Sequence, residues 1–249
     1  MIVTHLGNGI IKFDNVFDID KEHFKTFKIS LENTTRRESQ IKDQDGSVRT
    51  EGGYTIPSDL VKYSPTRYTD LSSFDGKDKE LIYTLQQAMH RCVVEYCNVF
   101  PVVIENIRWV TNGYIIKYEN GQCIGPHSDC NIAYAEDNVT PINTVPIYNV
   151  LTVGAFLNDD FVGGDISYRP WGITAKPGIG SVLVYPSSYM GCHEVAPVTE
   201  GQRYAYLRWY GHGEPPFTIN ESVMHLLEDF KTRNTEQKFV LTGKLYETE

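Results

Sequence analysis

From Asp75 to Phe100, apolar residues return every three or four positions: Leu81, Ile82, Leu85, Met89, Val93 and Tyr96, with no proline between them. That spacing keeps them on one side of a 3.6-residue turn, so the segment is predicted to be a helix that covers something else with one face. A helical period also runs through Asp20–Leu31 (DKEHFKTFKISL), after a short apolar start. A third runs through Asn220–Arg233 (NESVMHLLEDFKTR), with Asn220 as N-cap and Val223, Leu226, Leu227 and Phe230 as the apolar stripe. The polar, charged stretch from Glu32 to Gly53 has neither period and reads as a loop.

Between Ile107 and Tyr210 the pattern changes. TNGYIIKYE, NVLTVGAFL, GDISY, GSVLVYP and RYAYLRWYG are rich in β-branched and aromatic residues and are punctuated by glycine, proline and asparagine. Short strands at this spacing, without a helix between each pair, point to a β-sandwich or double-stranded β-helix rather than a parallel α/β sheet. The expected organisation is one mainly β domain: mixed helical support over residues 1–100, a β core over about 101–213, and a C-terminal helix and tail over 214–249.

Composition narrows the function classes. A chain of 249 residues with 41% hydrophobic positions and 16 tyrosines has enough apolar surface for a sizeable core. No apolar run approaches the roughly 18 residues of a membrane helix, and the first residues lack a basic stretch leading into an apolar one. A formal charge of −9 disfavours broad nucleic-acid binding, which needs a basic surface. The five cysteines (Cys92, Cys97, Cys123, Cys130 and Cys192) show no C-x-x-C spacing, so free thiols in a reducing, cytoplasmic compartment are expected. Cys123, Cys130 and Cys192 fall near the candidate site described next, where a bystander thiol is favoured over a metal-bound one.

The strand-rich half contains GPHSDCN, with His127 and Asp129 two positions apart. On an extended segment such residues project from one face and can reach one ion. Alone, H-x-D is more often a local turn. A second histidine, His193, lies 64 residues beyond Asp129, after the strand-like SVLVYPS. Two imidazoles and one carboxylate leave coordination positions open, as an oxygenase metal requires, whereas a structural zinc site fills all four with protein ligands. Ten residues past His193 comes Arg203, across a proline- and glycine-containing turn that would set the two strands antiparallel. A guanidinium in a closed β core is costly without an anion. A dicarboxylate offers one through a bidentate fork.

These residues resemble the signature of the Fe(II)/2-oxoglutarate-dependent dioxygenases, and the surrounding text resembles the prolyl 4-hydroxylase-like branch. The likeness also takes in Tyr118-Glu-Asn-Gly121-Gln122, Val150-Leu-Thr152 with Phe156-Leu157-Asn158, Gly163-Gly164-Asp165, Lys176-Pro177-Gly178, and Gly201-Gln-Arg203 with Trp209. It covers about Trp109 to Tyr210 in order and spacing. The resemblance implies a double-stranded β-helix (a jelly-roll or cupin-like core) with helices on its larger sheet. It implies Fe(II) on His127, Asp129 and His193, 2-oxoglutarate with its far carboxylate on Arg203, O2, and ascorbate as an auxiliary reductant. Tyr118 and Thr152 match positions whose hydroxyls line the co-substrate pocket, although either is equally readable as a strand residue with a satisfied hydroxyl. One departure stands out: where the branch often has a tyrosine three residues before the first metal histidine, this chain has Ile124, with Tyr185 or Tyr206 as substitutes.

Other polar candidates read as structural. His5, His23, His90, His212 and His225 lack ligand spacing, although His212 near Trp209 is a candidate for the pocket rim. Arg208, five residues from Arg203, should face the opposite side of its sheet and be solvated; Arg36 and Arg37 read as a solvated turn. The two Gly-x-Gly stretches (the first near residue 8, the second Gly178-Ile-Gly180) do not sit between a strand and a helix as a phosphate loop would.

The reaction implied is hydroxylation of an unactivated C–H bond with conversion of 2-oxoglutarate to succinate and CO2. A prolyl residue in a peptide or protein leads as substrate, followed by a free amino acid or other small metabolite. The segment from Asn131 to Tyr148 has the length and composition of a loop over the pocket mouth. Two other classes compete: a binding module on the same scaffold that has lost turnover, and a zinc hydrolase, which would have no use for Arg203. The sequence leaves the oligomeric state open.

Overall fold

The computed structural model describes residues 1–34, 41–42, 48–49, 55–56, 59–130, 132–133 and 147–212. The helix expected at Asn220–Arg233, His225, Arg36, Arg37 and most of the predicted mouth loop lie outside the described residues.

The chain opens with a hairpin, β1 (Ile2–Gly7) and β2 (Ile10–Asp14), then helix α1 (Lys21–Glu32). Three two-residue strands follow: β3 (Ile41–Lys42), β4 (Val48–Arg49) and β5 (Thr55–Ile56), paired antiparallel where the sequence suggested a loop. Next come β6 (Thr66–Tyr68) and the long helix α2 (Gly76–Val99). The core then runs through β7 (Trp109–Val110), β8 (Tyr114–Tyr118), β9 (Ile124–His127), β10 (Ile132–Ala133), β11 (Ile147–Phe156) and β12 (Phe161–Gly163). It ends with β13 (Ile166–Tyr168), β14 (Ile173–Ala175), β15 (Val182–Pro186), β16 (His193–Val195), β17 (Val198–Gly201) and β18 (Arg203–His212).

The main sheet has the order β1-β2-β15-β11-β18-β8-β6, with β10 added to β11 and β7 to β18. A smaller sheet, β14-β13-β16-β9, faces it. From β8 onward the chain passes between the two sheets repeatedly: β9 in the smaller, β11 in the main, β13 in the smaller, β15 in the main, β16 in the smaller, β18 in the main. That alternation is the winding of a double-stranded β-helix, the fold class expected. One detail differs. The strands of His193 and Arg203 are not antiparallel partners; β16 lies in the smaller sheet and β18 in the main one. The intervening residues are used by β17, which pairs with β12, so Arg203 reaches the site from across the interior.

Period-two alternation divides the main sheet into two faces. Ile11, Phe13, Ile115, Leu151, Val153, Ala155, Val182, Val184, Tyr204, Tyr206 and Tyr210 point outward, under the helices. There they meet Leu81, Ile82, Leu85, Ala88, Met89, Cys92, Val93 and Tyr96 of α2, the predicted stripe, and Phe24, Phe27 and Leu31 of α1. Each such large side chain contributes about 1.5–3 kcal/mol relative to exposure, and α1 is capped by Asp20, whose carboxylate accepts from the amides of Glu22 and His23. Ile10, Ile116, Tyr118, Phe156, Leu183, Tyr185 and Ala205 point inward, against Ile166, Tyr168, Ala175 and Val195 of the smaller sheet.

The opening residues, read from sequence only as a short apolar start, extend the main sheet: β2 pairs with β15. Their Gly-Asn-Gly stretch is the hairpin turn, with φ of 106°, 51° and 76°, a backbone that excludes most side chains. The Tyr96 hydroxyl of α2 donates to Gly9 O at 2.8 Å, pinning the turn to the helix.

A candidate iron centre inside the β-helix

β9 and β16 are antiparallel neighbours, and their register sets His127 opposite His193, with ring centroids 4.4 Å apart. Asp129, two residues past the end of the first histidine's strand step, turns its carboxylate to the same point. The donor atoms of His127, Asp129 and His193 all lie within 4.8 Å of one another, and no cysteine joins the group among the described residues.

The hydrogen bonds fix which atoms are offered. His127 Nδ1 lies 2.9 Å from Gly125 O, and His193 Nδ1 lies 2.9 Å from Gly191 O. A carbonyl only accepts, so each Nδ1 carries the proton and each Nε2 presents a lone pair inward, the tautomer a metal ligand needs. Asp129 is held similarly. Its Oδ2 accepts from the Thr152 hydroxyl at 2.8 Å and from the Tyr185 hydroxyl at 3.1 Å, and its main-chain oxygen accepts from Asn149 Nδ2 at 2.7 Å. Oδ1 is thereby left toward His127 Nε2, 3.4 Å away.

The electrostatics follow from crowding. Burial pushes the Asp129 carboxyl up, but the hydrogen bond from His127 and the charges of both histidines outweigh it and hold the group well below the usual carboxylate range. For His127, burial pulls down, and the bond to Asp129 and its charge win, so its pKa is raised. His193, deeper, is governed by burial and is lowered. The site therefore contains a firm carboxylate and two imidazoles shifted in opposite directions, His127 toward the protonated form and His193 away from it.

Arg203 enters from the facing sheet, opposite Tyr118 in register. Its guanidinium carbon sits 4.9 Å from the Tyr118 ring centroid and 5.2 Å from that of Phe156. The side chain is 3% exposed, and its Nε has no hydrogen-bond partner among the described residues. Backbone makes room for it: a Cβ on Gly164, at φ 67°, would lie 2.8 Å from Arg203 Cδ. Gly154 stands on the inward face of β11 between Thr152 and Phe156, and a Cβ there would approach Leu207 Cδ2 at 3.1 Å. Gly164 thus lets the Arg203 stem pass, and Gly154 lets Leu207 and Phe156 close up beside it.

Two further hydroxyls bear on the site. Tyr168, on the strand next to His193, lies 5.6 Å from that imidazole and 5.5 Å from the Tyr185 ring, and its buried hydroxyl has no partner among the described residues. Tyr118, Tyr168 and Tyr185 all stay protonated, since burial pushes Tyr118 up to about 12 and the other two well above the phenol value. Of the two substitutes weighed for the tyrosine missing at Ile124, Tyr185 is at the centre. Tyr206 faces α2, donating to Asn112 O and accepting from Gln86. Thr152 spends its hydroxyl on Asp129 and Ser187.

Arg208 corrects an expectation. It does face away from Arg203, but it is 0% exposed rather than solvated, because α2 covers that face; its Nε donates to Thr111 O at 2.8 Å. Three other histidines make structural contacts: His23 pairs with Asp78, His90 lies against Tyr210, and His212 donates to Asn106 O. Sequence reasoning passed over Tyr168. Its only signal was the alternation of GDISY, which puts Ile166 and Tyr168 on the inward face.

The residues present fit a divalent metal with a dicarboxylate beside it: two imidazole lone pairs, one oriented carboxylate, a buried guanidinium with an unused donor, and an unpartnered phenol. Comparison with known proteins agrees in fold. No protein-family model matches the chain. Over 101 residues, 38% of this chain, it is 32% identical to a PKHD-type hydroxylase from Idiomarina loihiensis, and the match spans 39% of that relative's length. A prolyl hydroxylase from Trichoplax adhaerens, solved with a peptide fragment of the hypoxia-inducible factor oxygen degradation domain, superposes with a TM-score of 0.55 at 16% identity. That superposition covers 88% of this chain and 87% of the other. The chain thus has the double-stranded β-helix of the prolyl hydroxylases, and its relative in sequence is also a hydroxylase. No helix among the described residues is long and apolar enough to cross a membrane.

Proposed function

We propose that this protein is an Fe(II)/2-oxoglutarate-dependent dioxygenase that hydroxylates an unactivated C–H bond, with a prolyl residue of a peptide or protein as its substrate. The observation that carries this is the convergence of His127 Nε2, Asp129 Oδ1 and His193 Nε2 from two strands and a loop, with Arg203 buried behind them and its Nε unpaired. His127, Asp129 and His193 would hold the iron, where O2 would serve as oxidant and 2-oxoglutarate as the two-electron reductant, one oxygen atom going to the substrate carbon and the other to succinate as CO2 leaves.

The chain's own residues do the rest. The carbonyls of Gly125 and Gly191 lock both imidazole tautomers. Thr152 and Tyr185 orient Asp129 so that one oxygen is free. Arg203, caged by Tyr118 and Phe156, offers a fixed cation to the far carboxylate of the co-substrate. Tyr168 holds a neutral phenol proton ready for an acceptor in the same interior. Burial among Tyr118 and Phe156 keeps water from Arg203, which strengthens its attraction for an anion. The prolyl assignment is supported by the likeness to a prolyl hydroxylase solved with a peptide; the free thiols agree with a reducing, cytoplasmic setting.

The test is succinate formation from 2-oxoglutarate with Fe(II), with and without prolyl peptides. Peptide-stimulated succinate with a matching gain of one oxygen on the peptide is the expected result. Stimulation by a free amino acid alone would replace the peptide assignment. No succinate under any condition, despite bound metal and co-substrate, would leave a binding module in place of an enzyme.

A further inference from the structure

The three residues of the candidate centre are not held alike. His127 and His193 stand on paired strands, and each ring is tied to a main-chain carbonyl two residues back. Asp129 lies two residues beyond the end of β9, outside the strand ladder. What fixes its carboxylate comes from the main sheet. Thr152 on β11 and Tyr185 on β15 are cross-strand partners, and both offer hydroxyls to Oδ2.

The two hydroxyls differ in how firmly they are aimed, since each has a single proton to give. Tyr185 has two acceptors in reach, Asp129 Oδ2 at 3.1 Å and His193 Nε2 at 3.3 Å. Thr152 donates to Asp129 Oδ2 at 2.8 Å, and its oxygen lies 2.9 Å from Ser187 Oγ. An ionised carboxylate only accepts, so the Thr152 proton is spent on Asp129. The second contact must then run from the Ser187 hydroxyl to Thr152 Oγ1. The order of donation is Ser187 to Thr152 to Asp129. Ser187 follows the end of β15, and its amide donates to Val150 O at 2.9 Å, two residues before Thr152 on β11. Ser187 and Thr152 are both 0% exposed, so bulk water does not compete for either hydroxyl. Buried donors are costly to leave unmade, and hydrogen bonds in series strengthen one another in a low-dielectric interior.

We infer that Ser187 is a positioning residue for the metal centre: through Thr152 it holds Asp129 Oδ2 in place, so that Oδ1 alone faces the ion. This rests on the metal-centre reading above. A carboxylate bound through one oxygen takes one coordination position and leaves others open for co-substrate and O2. A carboxylate whose second oxygen is loose can swing round and fill one of them. The two strand-borne histidines need no such brace, because the sheet already sets them. The loop-borne ligand borrows its rigidity from β11 and β15 through two hydroxyls in series.

The experiment is calorimetric titration of the full chain with Fe(II) without oxygen, with visible absorption of the Co(II)-loaded protein in parallel. Ser187→Ala should weaken Fe(II) binding about fivefold, less than the roughly tenfold or more lost with a direct partner of a ligand, and should shift the Co(II) bands. Ser187→Cys keeps the volume but donates weakly, and should do the same. Ser181, at the other end of β15, is the control: it is 1% exposed and gives its hydroxyl to Gly178 O. Ser181→Ala should lower the melting temperature and leave both metal readouts unchanged. In a Thr152→Val background, Ser187→Ala should add no further loss. Undiminished affinity with unchanged Co(II) bands in Ser187→Ala, losses that add in full to those of Thr152→Val, or an equal loss in Ser181→Ala would each overturn the assignment. Failure of the wild-type protein to bind either metal would instead overturn the metal-centre reading itself.

Discussion

Strand β18 buries two arginines five residues apart, Arg203 at 3% exposure and Arg208 at 0%, on opposite faces of one sheet. Arg203 is flanked by the Tyr118 and Phe156 rings, and each arginine keeps at least one guanidinium nitrogen without a partner among the described residues. What separates them is the company each keeps. Arg203 shares its interior with two imidazoles and a carboxylate. Arg208 faces the helices, with Nε committed to Thr111 O. Backbone crowds both alike: a Cβ on Gly164 would stand 2.8 Å from Arg203 Cδ, and one on Gly113 would stand 2.8 Å from Arg208 Cγ. Burial of a charge is therefore not by itself a sign of a site. A buried charge beside a donor cluster is one.

The contrast can be broken by matched substitutions. Arg203→Met should raise the Kd for 2-oxoglutarate about 100-fold, the loss of a buried, bidentate ion pair, with Fe(II) affinity little changed. Arg208→Met should leave that Kd untouched and alter only thermal stability. Its melting temperature should hold or rise, because an apolar side chain of similar length in a buried ionic position is often neutral or stabilising by about 1–4 kcal/mol. Calorimetric binding of 2-oxoglutarate beside a melting curve reads both. Equal effects of the two variants on co-substrate binding would erase the distinction.

A smaller effect separates ligand from support. Tyr185→Phe removes one of the two hydroxyls on Asp129 Oδ2 and keeps the ring. Metal affinity should fall about tenfold, the scale on which such supporting bonds tune a ligand, without loss of the fold. An unchanged affinity would mean that Thr152 alone fixes the carboxylate.

The H-x-D spacing and the resemblance made the triad visible in the sequence, although Asp129 lies past the end of β9 and not on the strand, and α2 was visible because its apolar period is long. The helix-side burial of Arg208 was hidden, since alternation says which face a residue takes but not what covers that face. The hairpin at the start was hidden for a related reason. IIKFD is buried on both sides, so its alternation is faint over five residues. β6, at three residues, carries no period at all. Tyr168 gains meaning only from neighbours on other strands, His193 and Tyr185. Arg203 was legible through resemblance, although the strand geometry inferred for it was wrong; it crosses the interior instead of lying beside His193.

An effect of the same order is expected of pH. His127 is held above its ordinary value of 6.5 by Asp129, and a metal needs its Nε2 bare. Metal affinity should therefore weaken as pH falls through that raised pKa, by about tenfold for each unit below it, while His193, already lowered, adds nothing near neutrality. Without metal the sign reverses for this pair. Its contribution to stability is fully present below the unfolded imidazole pKa and fades as pH rises through the raised one.

The most direct test of the central claim is an anaerobic Fe(II) titration of the wild-type protein beside His127→Ala, Asp129→Ala and His193→Ala. The account predicts one iron per chain in the wild type and at least about 100-fold weaker binding in each variant, since each removes a direct ligand. One-to-one binding of undiminished affinity in all three variants would contradict it.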